Sequence, residues 1–167
     1  RVVPATLELI DAESLKAVSE HLGRSVAPDQ TGAMLIVEAD GTETTVREDI
    51  DQVGHACRQA GALDVVPAAD EDQRDRLWSA RRLISMALRA TGLLKINHDV
   101  VVPRGRVPEL FAAIDDIREA YRLRIAAFGH AGDGNIHVNL MIDHNDPQQR
   151  VRAKEAERLL FERVFIV

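Results

Sequence analysis

Apolar residues in this chain alternate in short runs and recur at helical spacing between those runs, so it reads as strands separated by amphipathic helices. Residues 6–10 are an expected strand, and the helix after them runs to about Leu22, with Gly23 as its C-terminal stop. A second strand covers 33–39 and ends at Asp40-Gly41. Val46, Ile50, Val53, Cys57 and Ala60 then fall at helical spacing and predict a helix with a buried stripe, ended by Gly61. Residues 64–67 read as a third strand, and a long helix follows from about Ala69 to Thr91 with acidic residues in its first turn. A fourth strand over 98–102 closes at Pro103. The next helix would bury Val107, Leu110, Phe111, Ile114 and Ile117. Two last strands, 125–130 and 136–142, flank a glycine-rich turn, and a final helix begins near Pro147.

Six strands and five helices in this order predict an α+β fold, a largely antiparallel sheet covered by helices on one face, of ferredoxin-like type. The chain shows no glycine-rich phosphate loop, no low-complexity linker and no internal repeat. Both ends read as cuts, since the chain starts at Arg1 and stops within an apolar run, 159–167. The expectation is one domain that is a piece of a longer polypeptide.

Composition adds little to the fold but narrows the partners. Hydrophobic content of 46% and charged content of 29% are those of an ordinary globular chain of 167 residues. A net charge of −6 argues against a nucleic-acid-binding or anionic-membrane surface, and no apolar run is long enough to span a bilayer. The single Cys57 excludes an internal disulfide and suits a reducing, cytoplasmic compartment.

The densest chemistry lies in 129–137, Gly-His-Ala-Gly-Asp-Gly-Asn-Ile-His. Asp-Gly between apolar runs predicts a two-residue hairpin turn at Asp133-Gly134. That turn sets His130 directly opposite His137, with Cβ atoms roughly 4.5–5.5 Å apart. Two imidazoles so placed can share a metal ion or a substrate oxygen, although a catalytic zinc normally has three protein ligands. Asp99, Asp133 and His98 are the candidates for a third. Asn139 lies two residues beyond His137 and points to the same sheet face, as a substrate-facing amide or a solvated polar residue.

On the long helix, Arg81 falls beside the apolar stripe of Leu77, Ile84 and Leu88, whereas Arg82 points to solvent. A guanidinium there needs a carboxylate partner, either an internal acid or a substrate. Ser85 stands one turn further on the same line. Trp78 reads as a core anchor, and Lys95 as a second carboxylate donor or an exposed lysine.

The run from Leu77-Trp78 to Arg81, the segment 99–103 and above all 129–137 resemble the C-terminal domain of FAD-linked oxidases, the group containing D-lactate dehydrogenase, the glycolate oxidase flavin subunit and D-2-hydroxyglutarate dehydrogenase. The resemblance covers nearly the whole chain. It implies a cap over FAD that is bound mainly by a separate domain, absent here, with a small 2-hydroxy acid as substrate. His130 and His137 match catalytic, metal-binding or substrate-binding histidines, with zinc or another divalent ion as the metal. Arg81 matches the arginine that holds the substrate carboxylate. Ser85, Lys95 and Asn139 are the other substrate-binding candidates, and the turn residues Gly132, Asp133, Gly134 and Asn135 are candidate cofactor contacts. A third metal ligand is implied in a Glu-His-Gly segment beyond the chain end.

The resemblance also implies that the chain by itself is inactive, and it leaves open homo-oligomerisation and membrane contact through an electron acceptor. A free-standing histidine–metal hydrolase and a non-catalytic interaction module are the rival interpretations.

Overall fold

A computed structural model describes residues 2–166, so the terminal residues Arg1 and Val167, on which the expectation of cut ends partly rests, lie outside it. Five strands, β1 (Thr6–Asp11), β2 (Ala33–Glu38), β3 (Leu94–Val101), β4 (Arg124–His130) and β5 (Asn135–Ile142), form one sheet in the order β2-β1-β4-β5-β3. Every neighbouring pair is antiparallel. Five α-helices accompany it: α1 (Ala12–Leu22), α2 (Glu43–Gln59), α3 (Glu71–Ala90), α4 (Val107–Tyr121) and α5 (Pro147–Ile166). The α+β class and the antiparallel sheet are those expected from the sequence.

Helices cover both faces of the sheet rather than one. Along β4, Ile125 and Ala127 join the core under α4 and α5, whereas Ala126 and Phe128 join the core under α1 and α3. Residues 125–128 are all buried, and so are 138–142 in β5. Such continuous apolar runs, in place of alternation, mark central strands covered on each side.

Residues 64–67 are not a strand. Pro67 has no N–H to give a ladder, and the Asp64 carboxylate accepts the Val65 N–H at 2.8 Å. Val65 packs on α2 beside Gly54 instead. The stripe of α2 is likewise less buried than its periodicity suggests: Gly54 is its one fully buried residue, and Val46, Ile50, Val53 and Cys57 are half-buried. The strand predicted over 98–102 begins four residues earlier, at Leu94, which places Lys95 and Asn97 within β3. At the end of α5, Phe165 and Ile166 are exposed. No described helix is long and apolar enough to cross a membrane.

Caps at two helix starts hold the layer that carries the site. Asp11 ends β1 and caps α1, accepting the Ser14 N–H at 2.7 Å. Its other oxygen takes the Ala127 N–H at 2.7 Å and pairs with Arg118 of α4, so one buried carboxylate joins a helix from each layer to the central strand. Asp70 caps α3 through the Gln73 N–H at 2.7 Å.

Candidate functional site

The hairpin between β4 and β5 is not the two-residue turn expected. His130 pairs with Asn135 and His137 with Phe128, so the connection is the four residues 131–134. A type I′ turn requires positive φ at both central residues, and Gly134 has it (84°) while Asp133 does not. The register therefore differs by two residues from the expected one. A shift of two preserves the face to which every side chain points, because the strand period is two. His130 and His137 thus remain on one face as diagonal neighbours, their ring centroids 6.1 Å apart and edge to face.

Each imidazole is held through Nδ1 by a carboxylate from the strand beside it. Glu8 of β1 stands opposite His130 and bonds its Nδ1. Asp99 of β3 stands opposite His137 and bonds its Nδ1 at 2.5 Å. With the carboxylates as acceptors, Nδ1 carries the hydrogen on both rings, and among the described residues no group bonds either Nε2, which leaves both for a ligand. His130 is 49% exposed at its side chain and His137 26%.

Arg81 reaches the same face from α3. Its Nε donates to Glu8 Oε2 at 2.6 Å, and its guanidinium carbon sits 4.7 Å from the Phe128 ring centroid. The half-buried cation therefore has an internal acid as partner, one of the two alternatives its sequence position leaves open. Among the described residues no protein group accepts from its terminal Nη atoms.

The other candidates are placed less centrally. Ser85 is exposed one turn from Arg81. Lys95 is half-buried on the same sheet face as Asp99. Burial lowers its ammonium pKa, with Arg89 adding to the effect and Asp99 opposing it. Asn139 is fully buried beneath the site rather than on its wall. Its amide donates to the Ala126 carbonyl at 3.2 Å and the His137 carbonyl at 3.4 Å, and its Oδ1 meets no donor.

The turn residues work as architecture. Gly132 N–H donates to Leu7, Asp133 and Gly134 N–H both donate to the His130 carbonyl, and Asn135 N–H donates to the Asp133 carboxylate. The backbone N–H groups of these four candidate cofactor contacts are engaged within the protein, whereas the Asn135 side-chain Oδ1 is buried with no hydrogen-bond partner among the described residues.

The donor set does not close a metal site. Of the three candidates for a third ligand, Asp99 already holds His137 and Asp133 caps the turn. His98 faces the opposite layer, where its Nε2 lies 2.8 Å from Glu157 and its ring meets Phe161 edge-on. Among the described residues no three His, Cys, Asp or Glu side chains converge.

Sequence reasoning missed Glu8 and Phe128 as members of this site, and the role of Asp99 as the His137 partner. Glu8 gives no local sign of itself, because a glutamate alternating with Leu7 and Leu9 looks like the solvated face of a strand. The demand of Arg81 for a carboxylate was the one available pointer.

The family of FAD linked oxidases, C-terminal domain, matches residues 1–164. The chain belongs to that family. It is 32% identical over 163 residues to glycolate oxidase subunit GlcD of Bacillus subtilis, covering 98% of this chain and 34% of that protein. It is 31% identical to D-lactate dehydrogenase of Anaerostipes hadrus, over 82% of this chain and 30% of the relative. D-2-hydroxyglutarate dehydrogenase of Stutzerimonas stutzeri is 35% identical over 75% of this chain and 28% of its own length. This family member thus spans about a third of the curated relatives it matches. A solved alkyldihydroxyacetonephosphate synthase shares the fold, with a TM-score of 0.55 at 14% identity over 98% of this chain and 34% of that one.

The electrostatics of this FAD-linked oxidase domain make one pH dependence testable. The hydrogen bond from His137 holds the Asp99 carboxyl below its usual value of 3.8, aided by Asn97 and opposed by slight burial. A depressed carboxylate contributes stability above its unfolded pKa and loses it as pH falls through the folded one. Asp99→Asn should therefore flatten the fall in urea midpoint below about pH 4. Parallel curves for the variant and the parent would show that Asp99 brings no such linkage.

Proposed function

We propose that this chain is the substrate-binding cap of an FAD-dependent 2-hydroxy-acid dehydrogenase or oxidase, acting on a glycolate-, D-lactate- or D-2-hydroxyglutarate-like acid. One observation carries the proposal: the free Nη edge of Arg81 and two free imidazole Nε2 atoms share one sheet face. A planar guanidinium edge suits the two oxygens of a carboxylate. The imidazoles suit a hydroxyl on the adjacent carbon, one Nε2 accepting its proton as the hydroxy acid becomes a 2-oxo acid.

FAD, when bound, supplies the acceptor for the hydride leaving that carbon. The hairpin has no unused run of N–H groups for its phosphates, which supports binding of the cofactor mainly by another part of the polypeptide. Residues of this chain then bind the acid, orient it and take the proton. No step is routed through a metal, since among the described residues two imidazoles are the convergent ligands. The same shortage leaves the hydrolase interpretation without support.

The test uses the flavin-loaded polypeptide that carries this domain, mixed anaerobically with each 2-hydroxy acid. Bleaching of the flavin absorbance by at least one acid, and not by the matching 2-hydroxy amide, is the expected result. His130→Ala should slow the bleaching by about 10²- to 10⁴-fold, the usual scale of a lost general base. No bleaching with any 2-hydroxy acid would refute the proposal.

A further inference from the structure

Glu8 is 1% exposed and comes from β1, more than seventy residues from Arg81 and more than a hundred from His130. A buried carboxylate is costly unless its oxygens are satisfied, and each of these has a partner of different chemistry. Oε2 takes Nε of Arg81 at 2.6 Å, and Oε1 takes Nδ1 of His130. The two bonds have opposite consequences for a ligand. Occupying Nε turns the free edge of the guanidinium, its Nη pair, away from Glu8. Occupying Nδ1 settles the His130 tautomer and leaves Nε2 as an acceptor.

We propose that Glu8 is a positioning residue for both halves of the substrate site, setting the carboxylate-binding edge of Arg81 and the proton-accepting nitrogen of His130 with one side chain. This rests on the function proposed above. Asp99 has no such double role, since it is 58% exposed at its side chain and bonds one ring together with Asn97. A glutamine at position 8 cannot substitute. Its single oxygen can satisfy one of the two donors, while its NH₂ confronts the other. An aspartate keeps the charge but is one methylene short of spanning both.

Two measurements test the assignment. In the ¹⁵N-histidine-labelled polypeptide, two-bond ¹⁵N–¹H correlations at a pH where the ring is neutral should show His130 as the Nδ1–H tautomer. A predominant Nε2–H tautomer in the parent protein would overturn the proposal, and this needs neither a variant nor a substrate. Glu8→Gln should convert His130 to a tautomer mixture. The same variant should lose about 10- to 100-fold in kcat/KM, the scale on which a partner behind a working histidine acts. The loss should fall on KM through Arg81 and on kcat through His130. Glu8→Asp should recover part of one parameter and not both.

A Glu8→Gln protein with the parent tautomer and kinetics within twofold of the parent would also overturn the assignment. Should the parent turn over no 2-hydroxy acid, the proposed function fails, while the tautomer experiment still decides for or against Glu8.

Discussion

Arg81→Ala is expected to lower kcat/KM for a 2-hydroxy acid by about 10³-fold, or about 4 kcal/mol, within the range for removing one member of a buried hydrogen-bonded charge pair. Two losses add. The substrate carboxylate loses the Nη edge, and Glu8 is left buried with one partner instead of two. The effect should fall mostly on KM, and substrate analogues without the carboxylate should be nearly indifferent to the change. Arg81→Lys should restore little, because an ammonium cannot serve Glu8 and a second carboxylate with the same planar geometry. A loss equal for acid and amide analogues would mean that Arg81 serves structure alone.

Gly134→Ala is expected to destabilise the fold by about 3 kcal/mol, the upper range for a strained backbone position. Gly134 adopts φ 84°, and a Cβ there would overlap the carbonyl oxygen of Val102, with no flexible side chain to move aside. The residue also accepts the Val102 N–H at 3.1 Å, so its displacement would break the tie between the hairpin and the end of β3. A fall of about 10 °C in the thermal midpoint is the corresponding readout for a chain of this size. Gly105→Ala is the control: it has open space around its Cβ and should shift the midpoint by less than about 2 °C. Equal midpoints for the two variants would show that the contact is not restrictive.

The long periodic elements were legible in the sequence because their buried residues recur at the spacing of the element itself. The stripes of α3 and α4 and the hairpin strands all lie close to their expected places. Residues 64–67 misled because a short apolar run carries no signal of whether a sheet edge will receive it. The histidine register was misjudged because Asp-Gly signals a turn without fixing its length, and the error was harmless because it was even. The partners of the histidines were not legible. Glu8 and Asp99 reach them by strand pairings across 122 and 38 residues, which local periodicity does not encode. Two-sided burial of the sheet is written in the uninterrupted runs at 125–128 and 138–142, where a sheet covered on one face would alternate.

The diagonal offset of the two imidazoles has a stereochemical consequence. Two rings set obliquely across a pair of strands, with a cation reaching in from a helix at one side and the sheet closing the space beneath, make an arrangement that differs from its mirror image. A 2-hydroxy acid held there by its carboxylate and its hydroxyl keeps two unequal positions at C2, one facing the sheet and one facing outward. One enantiomer would aim its hydrogen that way; the other would aim it at the wall.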